Sequence, residues 1–127
     1  MKTKLFRIAV ATALAGLGHT VQAALPNGIA AGDVTQTSAV LWGRTDTAGF
    51  LKFEYATDKR FSRVIGSTIR KVDDAQIPAK WNVSDLKPGT TYYYRVTDST
   101  KAVEIGSFKT PKALGTKSGL RFGVSGD

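Results

Sequence analysis

Cysteine is absent from the 127 residues, and histidine occurs once, at His19. Without cysteine no disulfide can staple the fold and no thiolate can attack a substrate or bind a metal. His19 falls inside a leader-like segment, so the remainder can host neither a Ser-His-Asp triad, nor a Cys-His pair, nor a histidine-ligated metal. Long apolar runs are scarce as well. The longest, Ile8 to Gly18, is about half the roughly 20 residues needed to cross a bilayer, and no membrane span is expected. Nor does any later stretch sustain an apolar period of three to four residues, which removes the amphipathic helix as a building block.

What is present begins with Lys2, Lys4 and Arg7 ahead of that apolar stretch, followed by Val21 and Ala23 at the spacing a signal peptidase reads. This is the pattern of a bacterial-type secretory signal peptide over residues 1–23, and it predicts an exported chain, periplasmic or secreted, starting at Ala24. About 100 residues then remain, enough for one domain with one modest core. Setting aside the three leader cations leaves 15 Lys and Arg against 10 Asp and Glu. Lys59, Arg60, Arg63, Arg70 and Lys71 are scattered among apolar residues and read as a solvated basic face. Such a face could also draw in phosphate-bearing ligands. No nucleic-acid-binding module is recognisable.

The patterning has a period of two. "SAVLWGRT", "GFLKFEYATD" and "TYYYRV" alternate with strand-forming residues, and Leu51, Phe53 and Tyr55, like Tyr92, Tyr94 and Val96, share one face. "RVIGSTIRKV" is less decided and suits an edge strand. "AKWNVSDL" is another short run, and "AVEIGSFKT" places Val103, Ile105 and Phe108 around an expected bulge at Gly106. Turn signals recur at the roughly 8–12-residue spacing of a sandwich. The fold class is therefore all-β, an immunoglobulin-like or fibronectin III-like Greek-key sandwich over residues 24–110. In "LKPGTTY", Pro88-Gly89 marks a turn, and Tyr92 stands where a tyrosine corner would bond its hydroxyl to upstream backbone. Trp42 is expected to supply the large central core residue.

"TPKALGTKSG" shifts to Pro, Gly, Ser, Thr and Lys and reads as a linker over residues 111–119. Beyond it, "LRFGVSGD", residues 120–127, has the look of the first strand of a further α/β domain, with Asp127 at the carboxyl end where such sheets place ligands. Asp33 reads as a turn former, and Asp73 with Asp74 as loop carboxylates lacking a facing partner.

Five stretches in order, "GIAAGDVTQTSAVLWGRT", "FEYATDKRFSRV", "VSDLKPGTTYYYRV", "GSFKTP" and "LRFGVSGD", resemble the N-terminal region of PhoD-type alkaline phosphatase/phosphodiesterases. Purple acid phosphatases are similar in outline. The resemblance implies an exported sandwich ahead of a calcineurin-like metallophosphoesterase domain, which would be the sandwich's partner and would act on a phosphate ester substrate. It implies further that Asp127 is the first-strand metal ligand, with Ca, Fe, Mn or Zn ions bound in the full-length protein and none by the sandwich. The segment alone is then expected to be inactive. The alternative reading is a free-standing fibronectin III-like binding or adhesion module, with the basic face and Tyr93 as its contact surface.

Overall fold

The computed structural model describes residues 25–119 together with Gly123 and Gly126. Seven strands form in chain order: β1 (Ile29–Gly32), β2 (Ala39–Gly43), β3 (Gly49–Ala56), β4 (Gly66–Val72), β5 (Ala79–Val83), β6 (Thr91–Asp98) and β7 (Val103–Lys109). They build two antiparallel sheets, β1-β2-β5 and β4-β3-β6-β7. β4 occupies an edge, as its mixed pattern predicts. β1 is a strand that the sequence does not announce, because four residues of Ile, Ala and Gly carry almost no alternation signal.

The period-two reading transfers directly into burial. Leu51, Phe53 and Tyr55 on β3, and Tyr92, Tyr94 and Val96 on β6, all turn inward and are buried. They meet Ala39, Leu41 and Val83 of the three-stranded sheet, with Val72, Leu86 and Phe108 closing the core. Fully burying one such side chain is worth about 1.5–3 kcal/mol, and these residues replace the disulfides the chain cannot form.

One transverse row organises the four-stranded sheet. Register pairs Gly66 with Tyr55, Tyr55 with Tyr94 and Tyr94 with Gly106, so the row reads Gly-Tyr-Tyr-Gly across all four strands. Each ring lies over the neighbouring glycine. A Cβ on Gly66 would sit 2.5 Å from Tyr55 Cε1, and one on Gly106 would sit 2.6 Å from Tyr94 Cζ. Glycine is required at both positions because the ring occupies the volume a side chain would take. Burial foremost pushes the Tyr55 and Tyr94 hydroxyl pKa values upward, which keeps both phenols neutral inside the sandwich.

Two expectations are corrected here. The β6–β7 register runs unbroken from Thr91↔Lys109 to Thr97↔Val103, so Gly106 marks no bulge. Plain alternation already sends Ile105 out and Phe108 in, and the glycine serves the Tyr94 ring instead. Trp42, expected at the centre of the core, lies on the outer face of β2. Ala39, Leu41 and Gly43 take the inward parity and leave Trp42 half-buried beside Val40. The indole that does pack on the core is Trp81 of β5, whose ring centroid is 5.5 Å from that of Tyr55.

The tyrosine corner forms as its spacing predicts. The backbone N–H of Lys87 donates to Tyr92 Oη at 2.8 Å. Gly89 follows Pro88 at φ 65°, the left-handed turn conformation glycine adopts without cost.

Two substitutions test these points by urea unfolding. Tyr92→Phe leaves the Lys87 amide without its partner and is expected to cost about 1–1.5 kcal/mol; an unchanged midpoint would remove the corner as a stabilising contact. Gly106→Ala is expected to cost about 1–3 kcal/mol through overpacking. In a Tyr94→Leu background the added cost should shrink by more than half, and equal costs in both backgrounds would show that the ring is not the obstacle.

Candidate functional site

Antiparallel register sorts the connections between the two ends of the sandwich. Gly32 lies opposite Val40, Ala56 opposite Tyr93, Ala39 opposite Val83 and Thr91 opposite Lys109. Loops 33–38, 57–65 and 84–90 therefore gather at one end, and the chain leaves β7 there. Loops 44–48, 73–78 and 99–102 occupy the other.

The chain is held firmly where it departs. Thr110 is buried; its hydroxyl donates to the Lys87 carbonyl at 2.7 Å and accepts from the Thr90 N–H at 2.9 Å. The Gly89 N–H donates to the Pro111 carbonyl at 2.8 Å, and Gln36 Nε2 donates to the Lys112 carbonyl at 2.9 Å. Residues 113–119 then run exposed, with a turn in which the Thr116 N–H donates to the Ala113 carbonyl. Departure is thus tied through the tyrosine corner to the core.

This end is also the basic one. Lys59, Arg60, Arg63, Lys87 and Lys112 outnumber Asp33, Asp58 and Asp85 in its loops, whereas the opposite loops carry Asp46, Asp73 and Asp74 with Arg44 and Lys101. Thr57, Arg63, Val64, Ile65, Asp85, Lys87 and Tyr92 line a cleft of about 420 Å³ at the basic end. Asp58 shapes the 57–65 loop: its Oδ1 accepts from the N–H groups of Arg60 and Ser62 and from Ser62 Oγ. The Ser62 amide bond foremost holds the Asp58 carboxyl below its ordinary pKa.

The same loop is clamped to the outer face of the four-stranded sheet. Phe61 is buried, and the Arg95 guanidinium lies 4.6 Å from its ring centroid. Arg95 Nε donates to Glu54 Oε2 at 2.7 Å, and Lys52 Nζ lies 2.8 Å from Glu54 Oε1. Burial pushes the Glu54 pKa up, but the hydrogen bonds and charges of Arg95 and Lys52 outweigh it and leave the pKa below the ordinary value. No sequence pattern announces this network, because Phe61 comes from a loop and its meeting with Arg95 is purely tertiary.

The candidate carboxylates of the sequence do not converge. Asp33 sits at a left-handed φ of 48°, as a turn former can. Asp74 Oδ1 accepts from the Gln76 N–H at 2.8 Å, and Asp73 pairs with Lys71 at 2.6 Å. Among the described residues no three acidic or histidine side chains are grouped to hold a metal ion, and no helix is long and apolar enough to cross a membrane. Asp127, the candidate metal ligand, and the leader segment 1–23 lie outside the described residues. Tyr93 is half-buried on the outer face of β6.

Three strands facing four, in the orders β1-β2-β5 and β4-β3-β6-β7 with a tyrosine corner opening β6, define a fibronectin III-like sandwich. The fn3 domain of human collagen alpha-1(XX) chain shares that fold at TM-score 0.57 and 20% identity, covering 85% of this chain and 100% of that one. Within this class, the chain belongs to the PhoD-like phosphatase, N-terminal domain family, whose profile matches residues 10–112. The structure of PhoD is similar at TM-score 0.64 and 25% identity, covering 75% of this chain and 21% of that one, so the chain spans about a fifth of that protein's length. The sensor domain of the anti-sigma factor RsgI4 in Pseudobacteroides cellulosolvens is similar at TM-score 0.51 and 25% identity, covering 68% of this chain and 93% of that one. Among curated protein sequences, none matches the chain.

Because the folded-state pKa of Glu54 is depressed, its pairing stabilises fully above the unfolded carboxylate pKa, about 4.3, and is lost as pH falls through the folded value. Glu54→Gln should cost about 1 kcal/mol at pH 7, a figure held down by the partial exposure of Lys52 and Arg95, and much less at pH 3. Urea midpoints at both pH values check this; an equal loss at pH 3 would assign the effect to packing rather than charge.

Proposed function

We propose that this chain is the exported N-terminal accessory domain of a metal-dependent phosphatase or phosphodiesterase, with phosphate-ester hydrolysis carried out by a following metallophosphoesterase domain. Membership of the PhoD-like N-terminal family is the observation that carries this reading.

In this reading the sandwich performs no chemical step. Its described residues offer no ligand set, and the one candidate ligand, Asp127, belongs to the strand that would open the catalytic domain. Asp127 would contribute to holding a metal, one of Ca, Fe, Mn or Zn, which would supply activation of water for in-line attack at phosphorus. The sandwich contributes a fixed orientation for the following domain and a basic end beside it. Lys59, Arg60, Arg63 and Lys87 raise the local concentration of anionic esters by steering, an effect screened by salt.

Hydrolysis of an aryl phosphate monoester and diester by the 127-residue chain and by a version extended to the next stop codon, with each metal supplied, tests the reading. Activity is expected only in the extended form and should be abolished by Asp127→Asn. Silence of both forms would favour the free-standing binding module. In the active extended form, changing Lys59, Arg60, Arg63 and Lys87 to Gln should lower kcat/KM and flatten its salt dependence; an unchanged salt slope would remove steering.

A further inference from the structure

The outer face of the three-stranded sheet carries a feature that the accessory reading leaves without a role. Register sets Ala30 beside Trp42 and Trp42 beside Lys80, with Gly32 beside Val40 one row further towards the basic end. These residues and Asp33 line an open depression of about 360 Å³. Ala30 and Gly32 are exposed and small, and Trp42 is half-buried, so part of the indole lines the depression in the middle of the sheet. The edge of the depression carries one cation, Lys80, and one anion, Asp33.

The two outer faces of the sandwich differ in kind. On the four-stranded sheet, Glu54 is bridged to Lys52 and Arg95, and Phe61 lies against Arg95, so the centre of that face carries an ion-pair network, with Ile69 and Ile105 exposed towards its edges. On the three-stranded sheet, the half-buried Trp42 stands at the centre, among the small exposed residues Ala30 and Gly32. A tryptophan at the centre, small neighbours that allow close approach and a sparse polar rim are the anatomy of a protein interface.

The route of the chain selects the occupant. Gln36, three residues beyond Asp33 on the rim, donates to the carbonyl of Lys112, so the outgoing chain passes beside the loop that borders this face. Residues 113–119 can reach at most about 25 Å when extended, which keeps the next domain within range of the depression. Such a short tether gives a high effective concentration, so a modest patch suffices to seat a domain that a free partner would bind only weakly. PhoD, of which the matched region is 21%, has the length for such a domain.

We propose that the Trp42 depression is the seat of the following metallophosphoesterase domain, an inference that rests on the accessory-domain reading and adds to it the face used. Trp42 is the central anchor, and Lys80 and Asp33 make rim contacts. The outward parity of Trp42 then has a reason: the side chain belongs to an interface rather than to the core of the sandwich.

Hydroxyl-radical footprinting read by mass spectrometry tests this on the 127-residue chain and on the form extended to the next stop codon. Trp42 is expected to be oxidised readily in the shorter chain and several-fold more slowly in the extended one, while Ile69 and Ile105 on the opposite face react alike in both. Trp42→Ser should leave the urea midpoint of the 127-residue chain unchanged and, in the extended form, speed tryptic cleavage at Lys112 and Lys117 several-fold. Phosphoesterase activity in an extended chain whose Trp42 reacts as fast as in the shorter one would overturn the seat and leave the accessory reading standing. Protection of Trp42 in an extended chain without phosphoesterase activity would sustain the seat and overturn that reading. Concentration-dependent protection in the 127-residue chain, with the mass of a dimer, would give the face to a second copy and overturn the inference.

Discussion

The packing of two tyrosine rings over two glycines is the constraint on which the rest of this sandwich depends. Tyr55 and Tyr94 stand side by side in the middle of the four-stranded sheet, and each extends over the glycine of an edge strand, Gly66 or Gly106. From there the contacts spread inward: Tyr55 meets Trp81 of the facing sheet and Tyr92 of its own, and Tyr92 stacks on Phe108. A domain of this size without disulfides has little apolar area to spare, and broad rings fill the gap between sheets with few residues. Side chains on the edge glycines would push the rings off this arrangement and loosen both edge strands together.

Tyr92 links that core to the outgoing chain. Its ring belongs to the aromatic cluster, its hydroxyl holds the Lys87 amide, and the Lys87 carbonyl accepts from Thr110. Core, turn and departure point therefore form one continuous set of contacts. The basic loops lie at that same end because antiparallel register leaves them no other place.

Much of the fold is legible in the sequence because inward and outward parity on a half-buried strand is a local property. Leu51, Phe53 and Tyr55 announce their face by alternation alone, and the spacing from Leu86 to Tyr92 announces the corner. Trp42 shows the limit. Size suggests a core position, yet its parity with Val40 and Arg44, against Leu41, already carries the contrary signal. For Gly106, a glycine within a strand pattern has two physical explanations, a bulge or a close-packed ring, and only the identity of its cross-strand neighbour distinguishes them.

By itself, the sequence determined the all-β class, the faces of the principal strands, the tyrosine corner and the absence of histidine and thiol chemistry from the sandwich, all of which depend on composition or on neighbours a few positions away. Tertiary structure decided which loops share an end, that Phe61 covers Arg95, that Gln36 holds Lys112, and that Trp42 faces outward above Ala30 and Gly32. These depend on pairing between strands distant in the chain, and no local pattern encodes which two segments will meet.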